Sequence, residues 1–326
     1  MDKLKAVKVI EYLIASDFFS KKIAKIEKLG ARKAEFGQRE LNLAKPLIDY
    51  LERVGIKLYS HQTQAIEYLQ SGGNVIITTP TASGKTLAFN LPVFDHLYRN
   101  PQATALYLYP AKALSNDQLV AIKEIEKFTR IKTRPAVYDG DTPSSKRARI
   151  RNDSRIIISN PYELHQVLPW HTKWRKFLKN LSFIVLDEAH RYRGVFGSNI
   201  AYLIRRLRRI CNYYGSSPQF VISSATLANP LEFASKLTGL EFNLVDKDGS
   251  PTQEKYFVLY NPFYDGEGEL SVHEETQRLF SLLVRSKIQT LCFTLSRKLA
   301  ELIASWSQQR FKIKYPRLAG KITPYR

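Results

Sequence analysis

The chain has 326 residues, which is enough for two domains of about 150 residues each. Its only cysteines, Cys211 and Cys292, exclude a disulfide framework and a cysteine-rich zinc site, and they fit a reducing, intracellular compartment. No apolar run reaches the roughly 18 residues that a membrane-spanning helix needs. The formal net charge of +20 is spread along the chain, which favours a folded surface for a polyanion, nucleic acid first and an anionic membrane surface second.

Residues 1–55 have the pattern of a helical, polar N-terminal extension. The apolar residues Val7, Ile10 and Leu13 recur at helical spacing. The same pattern continues through Ile23–Leu29, with lysines on the other face. The sequence therefore predicts helices in this segment.

Short β-branched runs alternate with helical segments from residue 74 onward. Each run is almost continuously apolar, as in strands that are buried on both faces of a parallel sheet. Repeated strand, helix and strand segments predict an α/β doubly wound domain over residues 56–245. The runs are residues 74–78, 105–109, 155–158, 183–186 and 220–223.

Residues 246–272 have the composition of a connection between domains, with loop-forming residues on both sides of one strand predicted at 256–259. Residues 273–326 then predict a helix at about 274–285, a strand at 289–293 and a helix from Ser296. This order is the opening of a second α/β unit.

Residues 79–86 form a candidate phosphate loop between a buried strand and a helical segment. A loop in this position turns backbone N–H groups inward and ends on a helix N-terminus, and both features favour bound phosphate. Lys85 would reach the β- and γ-phosphates, and the Thr86 hydroxyl would bind Mg²⁺. Thr79 stands where the generic pattern has its first glycine, so the alternative is a helix start of this sequence by chance. The expected nucleotide contacts are Thr81, Ala82, Ser83, Gly84, Lys85 and Thr86.

Asp187 and Glu188 directly follow the buried run at residues 183–186. In P-loop NTPases an acidic residue at such a strand end holds the Mg²⁺ that bridges the phosphates. We expect Asp187 to do so through the metal's water shell, and Glu188 to orient and deprotonate the attacking water. Adjacent carboxylates at a buried strand end are costly unless a ligand uses them. The alternative for the pair alone is capping of the next turn; together with Lys85 it predicts an ATP·Mg²⁺ site.

An ordered set of motifs resembles superfamily two helicases. Residues 81–86 resemble their motif I, and residues 187–190 resemble the DEAH form of motif II, in which His190 would couple the ATP site to motif III. The resemblance implies a complete RecA-like domain over residues 56–245 and the start of a second one at 273–326. The other motifs are the glutamine motif at 59–62, where Gln62 would read the adenine edge, motif Ia at 110–114, motif Ib at 138–142, a strand-contacting loop at 159–161, motif III at 224–226 with the coupling residues Ser224 and Thr226, and motif IV at 291–297.

Residues 58–62, 192–198 and 293–302 are similar to the mitomycin repair factor DNA helicases. This resemblance covers roughly residues 34–326 and implies translocation on single-stranded DNA. Members of that family continue with motifs V and VI, whose arginines complete the ATP site, and with a cysteine-rich zinc domain. An arginine from across the cleft is worth about 10³–10⁵ in rate in related NTPases. We therefore expect these 326 residues alone to bind ATP and nucleic acid but to hydrolyse ATP and unwind weakly.

The resemblance also implies that a nucleic-acid strand crosses the loops that follow three strands of the first domain. Contacts there are mostly backbone N–H groups, hydroxyls and occasional lysines, which position a strand without reading its sequence. A solvated lysine is the alternative for Lys112, and a turn glycine is the alternative for Gly140. The expected contacts are Pro110, Lys112, Gly140, Thr142 and Asn160.

Two basic clusters lie outside these motifs. A solvated helix face is the alternative to a DNA or partner surface for the first cluster. Phosphate steering and solvation both stay open for the second, which follows motif Ib. Trp170 and Trp174 are expected to pack rather than to stack on bases. The clusters are Arg205, Arg206, Arg208 and Arg209 on a helix predicted at residues 198–213, and Lys146, Arg147, Arg149, Arg151 and Arg155.

The sequence thus predicts the nucleotide-binding part of an ATP-dependent DNA helicase. An RNA helicase of the same superfamily stays open, because motifs I to III do not distinguish the sugars. A non-catalytic DNA-binding or regulatory module also stays open, as does a split enzyme whose second chain supplies motifs V and VI. The expected ligands are ATP, Mg²⁺ and single-stranded or forked DNA, with no membrane. The expected location is the cytoplasm, or the nucleoid or nucleus.

Overall fold

The structure, a computed structural model, describes residues 2–39, 41–263 and 271–324. The chain divides into two compact units, a core unit of Arg32–Thr252 and a second unit of Met1–Ala31 with Gln253–Arg326. No helix in the described ranges is long and apolar enough to cross a membrane.

The strands are β1 Ile23–Leu29, β2 Val75–Ile77, β3 Thr104–Leu108, β4 Ala136–Val137, β5 Ile156–Ser159, β6 Leu181–Leu186, β7 Gln219–Ser223, β8 Asn243–Val245 and β9 Lys255–Tyr260. The helices are α1 Asp2–Ala15, α2 Asp17–Ser20, α3 Lys45–Val54, α4 Ser60–Gln70, α5 Lys85–Arg99, α6 Lys112–Thr129, α7 Ser144–Asp153, α8 Pro161–Val167, α9 Arg175–Lys179, α10 Gly194–Tyr213, α11 Pro230–Thr238, α12 Val272–Arg285, α13 Arg297–Lys314 and α14 Pro316–Ala319. Two 3-10 turns lie at Leu168–Trp174 and Ala189–Arg191.

The core unit contains a seven-stranded sheet in the order β4-β5-β3-β6-β7-β2-β8. Every neighbouring pair in this sheet is parallel. The α/β doubly wound, RecA-like fold expected from the sequence is therefore confirmed, and all five apolar runs are strands. Sequence patterns did not predict β4 and β8, because strands of two and three residues are too short to show a periodic pattern.

Helices cover both faces of this sheet, so the central strands are buried on both sides. In β3, Ala105 and Tyr107 pack into one apolar cluster, whereas Leu106 and Leu108 pack into the other. All four side chains are almost fully buried. This two-sided burial explains why the runs are continuously apolar rather than alternating.

The second unit contains a two-stranded antiparallel sheet of β1 and β9. The helix that the sequence predicted over Ile23–Leu29 is wrong, and the described residues between 30 and 44 are not helical either. The helical prediction for this segment is confirmed only in α1, α2 and α3. The register shifts between Ile23 and Lys25, and this irregularity brings Ile23 and Ile26 to the more buried side of the strand. Two isoleucines three residues apart imitate helical spacing because the register shift adds a residue to the usual strand period.

The predicted elements of residues 246–326 are partly confirmed. The strand at 256–259 lies in β9, the helix at 274–285 lies in α12, and Ser296 caps the start of α13 by accepting the Leu299 N–H. The strand predicted at residues 289–293 is wrong: the segment is irregular, and Leu291 and Phe293 are largely exposed. A strand needs a hydrogen-bonded neighbour, and no strand within the described residues pairs with this segment. Residues 264–270 of the predicted connection lie outside the described ranges.

A buried ion pair lies in the second unit, where Lys22 donates to Glu275 and both side chains are buried. The Tyr260 hydroxyl donates to Glu275 Oε2 at 2.8 Å. The Lys22 ammonium also lies 4.0 Å from the centre of the Phe18 ring. The network joins β9 and α12 to the turn before β1.

We predict that Glu275→Ala destabilises the second unit by about 3–5 kcal/mol, because it leaves the Lys22 charge buried without its partner. The double variant Lys22→Met/Glu275→Leu should lose much less stability, because no charge is left to desolvate. Hydrogen exchange of the amides of α12 and β9 measures the change locally. Equal protection in Glu275→Ala and the unchanged chain would contradict this account.

Candidate nucleotide and nucleic-acid site

The seven parallel strands place all their carboxyl ends at one edge of the sheet, which is where open α/β folds bind ligands. The loops after β2, β6 and β7 carry Lys85, Asp187 and Ser224, and these strands are neighbours in the order β6-β7-β2. The loops after β4, β5 and β3 carry Gly140, Asn160 and Pro110, which were predicted to contact nucleic acid. The two predicted sites therefore occupy adjacent halves of one edge.

The phosphate loop turns sharply before α5. Ala82 and Gly84 have φ values of 63° and 87°, in the left-handed region, so that successive backbone N–H groups can face a common point. The Lys85 ammonium donates to the carbonyls of Thr79 and Pro80, both at 2.7 Å. It lies within the curve of the loop, where phosphate oxygens can replace these carbonyls as partners. Thr81 and Ala82 are exposed, Ser83 is buried and Thr86 is half-buried at the start of α5.

Thr79 stands where the generic phosphate-loop pattern has a glycine, and its side chain stabilises the loop. Its side chain is fully buried, and its hydroxyl lies 2.7 Å from the Ser83 hydroxyl in a hydrogen bond. A threonine is accommodated at this position because its side chain points towards Ser83 of the same loop. The departure from the generic pattern therefore leaves the loop geometry intact.

Asp187 is buried at the end of β6, and Glu188 beside it is partly exposed. The Glu188 N–H donates to Asp187 Oδ1 at 2.8 Å, and Glu188 itself has a left-handed φ of 51°. Burial raises the pKa of Asp187 and lowers the pKa of Lys85, and the charge of each partly opposes the shift of the other. The site thus holds opposite charges in a poorly hydrated pocket.

Within the described ranges no group of three or more His, Cys, Asp and Glu residues could hold a metal. Mg²⁺ is usually bound by one or two carboxylates together with substrate phosphates and water. The buried Asp187 carboxylate and the Thr86 hydroxyl near the phosphate loop fit that type of site. The residues present therefore fit a magnesium ion that binds together with a nucleotide.

His190 and Ser224 connect the loops after β6 and β7. The His190 backbone N–H donates to Ser224 Oγ at 3.2 Å, and the Ser224 N–H donates to the carbonyl of Ile77 at 3.0 Å. The His190 Nδ1 atom lies 3.2 Å from Glu188 Oε2. Thr226 is exposed two residues beyond Ser224. The bond from His190 to Ser224 therefore links the acidic loop to motif III.

Gln62 contacts the end of the phosphate loop. Its Nε2 donates to the carbonyl of Gly84 at 2.9 Å, and its Oε1 accepts the Tyr59 N–H at 2.9 Å. Both polar ends of the side chain thus have protein partners. Reading of the adenine edge by Gln62 stays a prediction.

His61 is a site residue to which the sequence analysis gave no role. Its Nε2 is 3.0 Å from the carbonyl of Ser83, and its Nδ1 accepts the Gly249 N–H at 3.2 Å. An Nδ1 that accepts a hydrogen bond fixes the neutral tautomer with the proton on Nε2. Burial lowers the pKa of His61 and favours this neutral form, although Asp248 opposes the shift. The histidine therefore joins the phosphate loop to residues 248–250, a contact between positions too distant in sequence for a local pattern to indicate.

The predicted nucleic-acid contacts lie on three neighbouring loops. The Lys112 ammonium donates to Asp141 Oδ2 at 2.6 Å, and this bond raises the pKa of the exposed lysine. Thr142 Oγ1 accepts the Asp139 N–H at 2.9 Å, and Asn160 Oδ1 accepts the Glu163 N–H at the start of α8. Gly140 is exposed, with open space where a Cβ would lie. Thr142 and Asn160 thus shape their loops, which leaves Pro110, Lys112 and Gly140 at the more open positions.

Two arginines of the basic cluster after motif Ib bind other parts of the protein. Arg147 donates to Thr142 O at 3.0 Å, Asp139 O at 2.8 Å and Glu163 Oε1 at 2.9 Å, so it holds the motif Ib loop. Arg155 instead donates to main-chain carbonyls that include Leu97 O, at 2.6 Å. Both arginines have structural partners.

Comparison with known proteins also indicates a helicase. Residues 59–233 match the family model for DEAD/DEAH box helicases. The uncharacterized ATP-dependent helicase YprA of Bacillus subtilis is 44% identical over 267 residues, which are 80% of this chain and 36% of the relative. The ATP-dependent helicase HRQ1 of Saccharomyces cerevisiae is 37% identical over 305 residues, 90% of this chain and 28% of the relative. The chain thus spans about a third of the length of these curated relatives.

A crystal structure of the DUF1998 helicase MrfA bound to DNA and AMPPNP matches 95% of this chain and 43% of that chain, with a TM-score of 0.89 and 39% sequence identity. The resemblance to the mitomycin repair factor helicases is therefore confirmed. The phosphate loop, the acidic pair and motif III all lie within residues 59–233, which match the family model.

We predict that Gly84→Ala weakens nucleotide binding, whereas Gly72→Ala does not. Both glycines have strongly positive φ values, 87° and 90°, so alanine costs about 1–2 kcal/mol of backbone strain at either position. Only at Gly84 would a Cβ lie 2.5 Å from Gln62 Nε2, so that the Gln62 side chain must move and lose its bond to the Gly84 carbonyl in the phosphate loop. Thermal unfolding and binding of a fluorescent ATP analogue separate the two effects. Equal nucleotide affinity in the two variants would show that the loop tolerates the change.

We also predict a pH-dependent stabilisation by His61. Because its folded-state pKa is lowered, the stabilisation is complete above the ordinary histidine pKa of about 6.5 and is lost as pH falls through the lowered value. Burial also lowers the pKa of the half-buried His96, so the comparison must be made between variants. The difference in Tm between the unchanged chain and His61→Asn should narrow from about pH 7.5 to about pH 5.5. A constant difference across this range would contradict the assignment of a neutral His61.

Proposed function

Because this chain belongs to the DEAD/DEAH box helicase family, we propose that it is the nucleotide-binding RecA-like part of an ATP-dependent DNA helicase. In this proposal the core unit binds ATP with Mg²⁺ in the half of the sheet edge formed by β6, β7 and β2. It binds single-stranded or forked DNA on the loops after β4, β5 and β3. One observation carries the proposal: Lys85 and the acidic pair lie at one edge, and His190 and Ser224 bond the acidic loop to motif III.

The roles of the ATP-site residues follow from their positions. The Lys85 ammonium binds the β- and γ-phosphates in place of the Thr79 and Pro80 carbonyls. The Thr86 hydroxyl and the Asp187 carboxylate would hold Mg²⁺, which supplies charge neutralisation at the phosphates. Glu188 orients the attacking water and receives its proton.

DNA is the preferred nucleic acid in this proposal. The solved helicase MrfA, 39% identical, is bound to DNA and AMPPNP, which supports DNA and an adenine nucleotide as the ligands of this chain. The net charge of +20 supports a polyanionic partner without distinguishing the sugars. The whole helicase cycle, including unwinding, is proposed for the longer architecture that the relatives have.

We predict that the 326-residue chain binds a fluorescent ATP analogue and that Lys85→Ala weakens this binding at least about tenfold, because charge-assisted hydrogen bonds are worth about 1.5–3 kcal/mol. Turnover by these residues alone should be slow, and single-stranded DNA should stimulate it more than RNA. The exposed Lys123→Ala serves as the matched control and should leave both properties unchanged.

Unaltered nucleotide affinity in Lys85→Ala would overturn the assignment of the phosphate loop. Stronger stimulation by RNA would instead favour an RNA helicase. Rapid turnover would mean that these residues need no further arginine, and restoration of rapid turnover by a separate chain would favour a split enzyme.

A further inference from the structure

Helix α10 carries Arg205, Arg206, Arg208 and Arg209, and it contains no acidic residue. Arg205 donates to the carbonyl of Lys236 at 3.1 Å, and Arg208 donates to that of Thr238 at 2.7 Å, so these two cap the end of α11. Within the described residues none of these four arginines forms an ion pair, whereas other arginines, such as Arg147, do. Arg206 and Arg209 have no hydrogen-bond partner in the same part of the chain, and Arg209 is exposed.

These arginines line two grooves that share Arg209. One groove, with a volume of about 680 Å³, lies where β2, β7 and β8 begin and is lined by Arg205, Arg208 and Arg209. The other, of about 450 Å³, is lined by Arg206 and Arg209 together with His171 and Tyr213. Neither groove has a carboxylate among its lining residues.

A third groove, of about 260 Å³, lies along the 3-10 turn Leu168–Trp174, and His171 of the same turn lines the second groove. Trp170 and Lys173 line it, and the Lys173 ammonium lies 5.4 Å from the Trp170 ring centre. Its one acidic residue, Glu163, is already paired with Arg147 at 2.9 Å. We name the three grooves together the arginine track; its defining residues are Arg205, Arg206, Arg208, Arg209, His171, Tyr213, Trp170 and Lys173.

The arginine track combines positive charge with exposed aromatic rings. The exposed fractions of Trp170 and Tyr213 are 63% and 77%, so the prediction that Trp170 packs is wrong. Trp174, by contrast, is buried and packs edge-on against Tyr138, as expected. Basic grooves with exposed aromatic rings are typical of surfaces that bind single-stranded nucleic acid, since arginines bind phosphates and the rings stack on bases.

The track is continuous with the motif Ib loop. Tyr138, the residue after β4, lines the third groove, and so does Arg147. Arg147 holds the loop through its bonds to Thr142 O and Asp139 O. Asp141, next to Gly140, is paired with Lys112 at 2.6 Å, and a strand that lies on Gly140 can continue past Arg147 into the third groove.

We propose that the arginine track is a second binding surface for single-stranded nucleic acid, which extends the strand from the motif Ib loop along the 3-10 turn to α10. This surface lies outside the ATP site and the helicase motifs. The inference rests on the proposed function, because the strand enters the arginine track from the motif Ib loop. Phosphates bind Arg206 and Arg209, whereas bases stack on Trp170 and Tyr213.

The test is equilibrium binding of fluorescent oligo(dT) of increasing length at several salt concentrations. Arg206→Ala/Arg209→Ala removes two arginines that make no hydrogen bond to the described protein. Arg206→Lys/Arg209→Lys keeps the charge. Lys123→Ala/Lys127→Ala removes the same charge from exposed positions of α6 and is the matched control. Binding of a fluorescent ATP analogue confirms in each variant that the core unit is folded.

We expect the alanine pair to weaken binding of long oligonucleotides on the order of tenfold and to lower the salt slope by about 1.4, since each single-strand phosphate contact contributes about 0.7. Short oligonucleotides, which the motif loops bind, should be unaffected. The lysine pair should restore most of the slope, and the control should match the unchanged chain.

A track variant that matches the control at every length would overturn this inference and leave the proposed function intact. Failure of the unchanged chain to bind any oligonucleotide would overturn both. Weakening that is equal for short and long oligonucleotides would also contradict an extended track, because the arginines would then act only through the general field of the protein.

Discussion

Parallel pairing constrains the core unit more than any single contact does, because it puts the carboxyl end of every strand at the same edge. The phosphate loop after β2 thereby lies on the same edge as the acidic pair after β6, although about 100 residues separate them in sequence. The boundary between the two halves of the edge falls between β6 and β3, where the Asp187 N–H donates to the carbonyl of Leu108 at 3.1 Å. Through this bond the metal-binding aspartate of the proposal contacts the strand that leads into motif Ia.

The same edge contains buried charges and left-handed backbone conformations, both of which lower the stability of a folded chain. Burial disfavours the charged forms of both Lys85 and Asp187, and their mutual attraction offsets only part of that cost. Ala82 and Glu188 have left-handed backbones that non-glycine residues rarely adopt. Strain and desolvation together at one edge are consistent with residues that are held for a ligand rather than for stability.

Sequence patterns predicted the elements whose signal is local. β3 and β6 could be predicted because two-sided burial makes their runs continuously apolar, and α5 because the loop before it has a fixed motif. The strand β1 could not, because its register shift gives isoleucines at helical spacing and its partner β9 lies more than 200 residues away. Residues 289–293 have strand composition, but composition does not provide the neighbour that a strand requires.

The candidate site divides in the same way. Lys85, Asp187 and Ser224 could be placed from motifs, since Asp187 and Ser224 directly follow buried strands and Lys85 ends the loop that follows another. The role of His61 could not, because it depends on Gly249 at a distant position in the chain. The partners of Arg147 and the exposure of Trp170 also required the structure, since a basic or aromatic residue has the same sequence signal whether it is paired, packed or free.

We propose that Lys85, Thr86 and Asp187 together hold a nucleotide and its magnesium ion. The sharpest test is the affinity for a fluorescent ATP analogue, measured as a function of Mg²⁺ concentration in the unchanged chain and in Asp187→Asn. Mg²⁺ should strengthen binding to the unchanged chain, whereas Asp187→Asn should lose most of this dependence and still bind the nucleotide through Lys85. The same Mg²⁺ dependence in both proteins would show that Asp187 does not hold the ion.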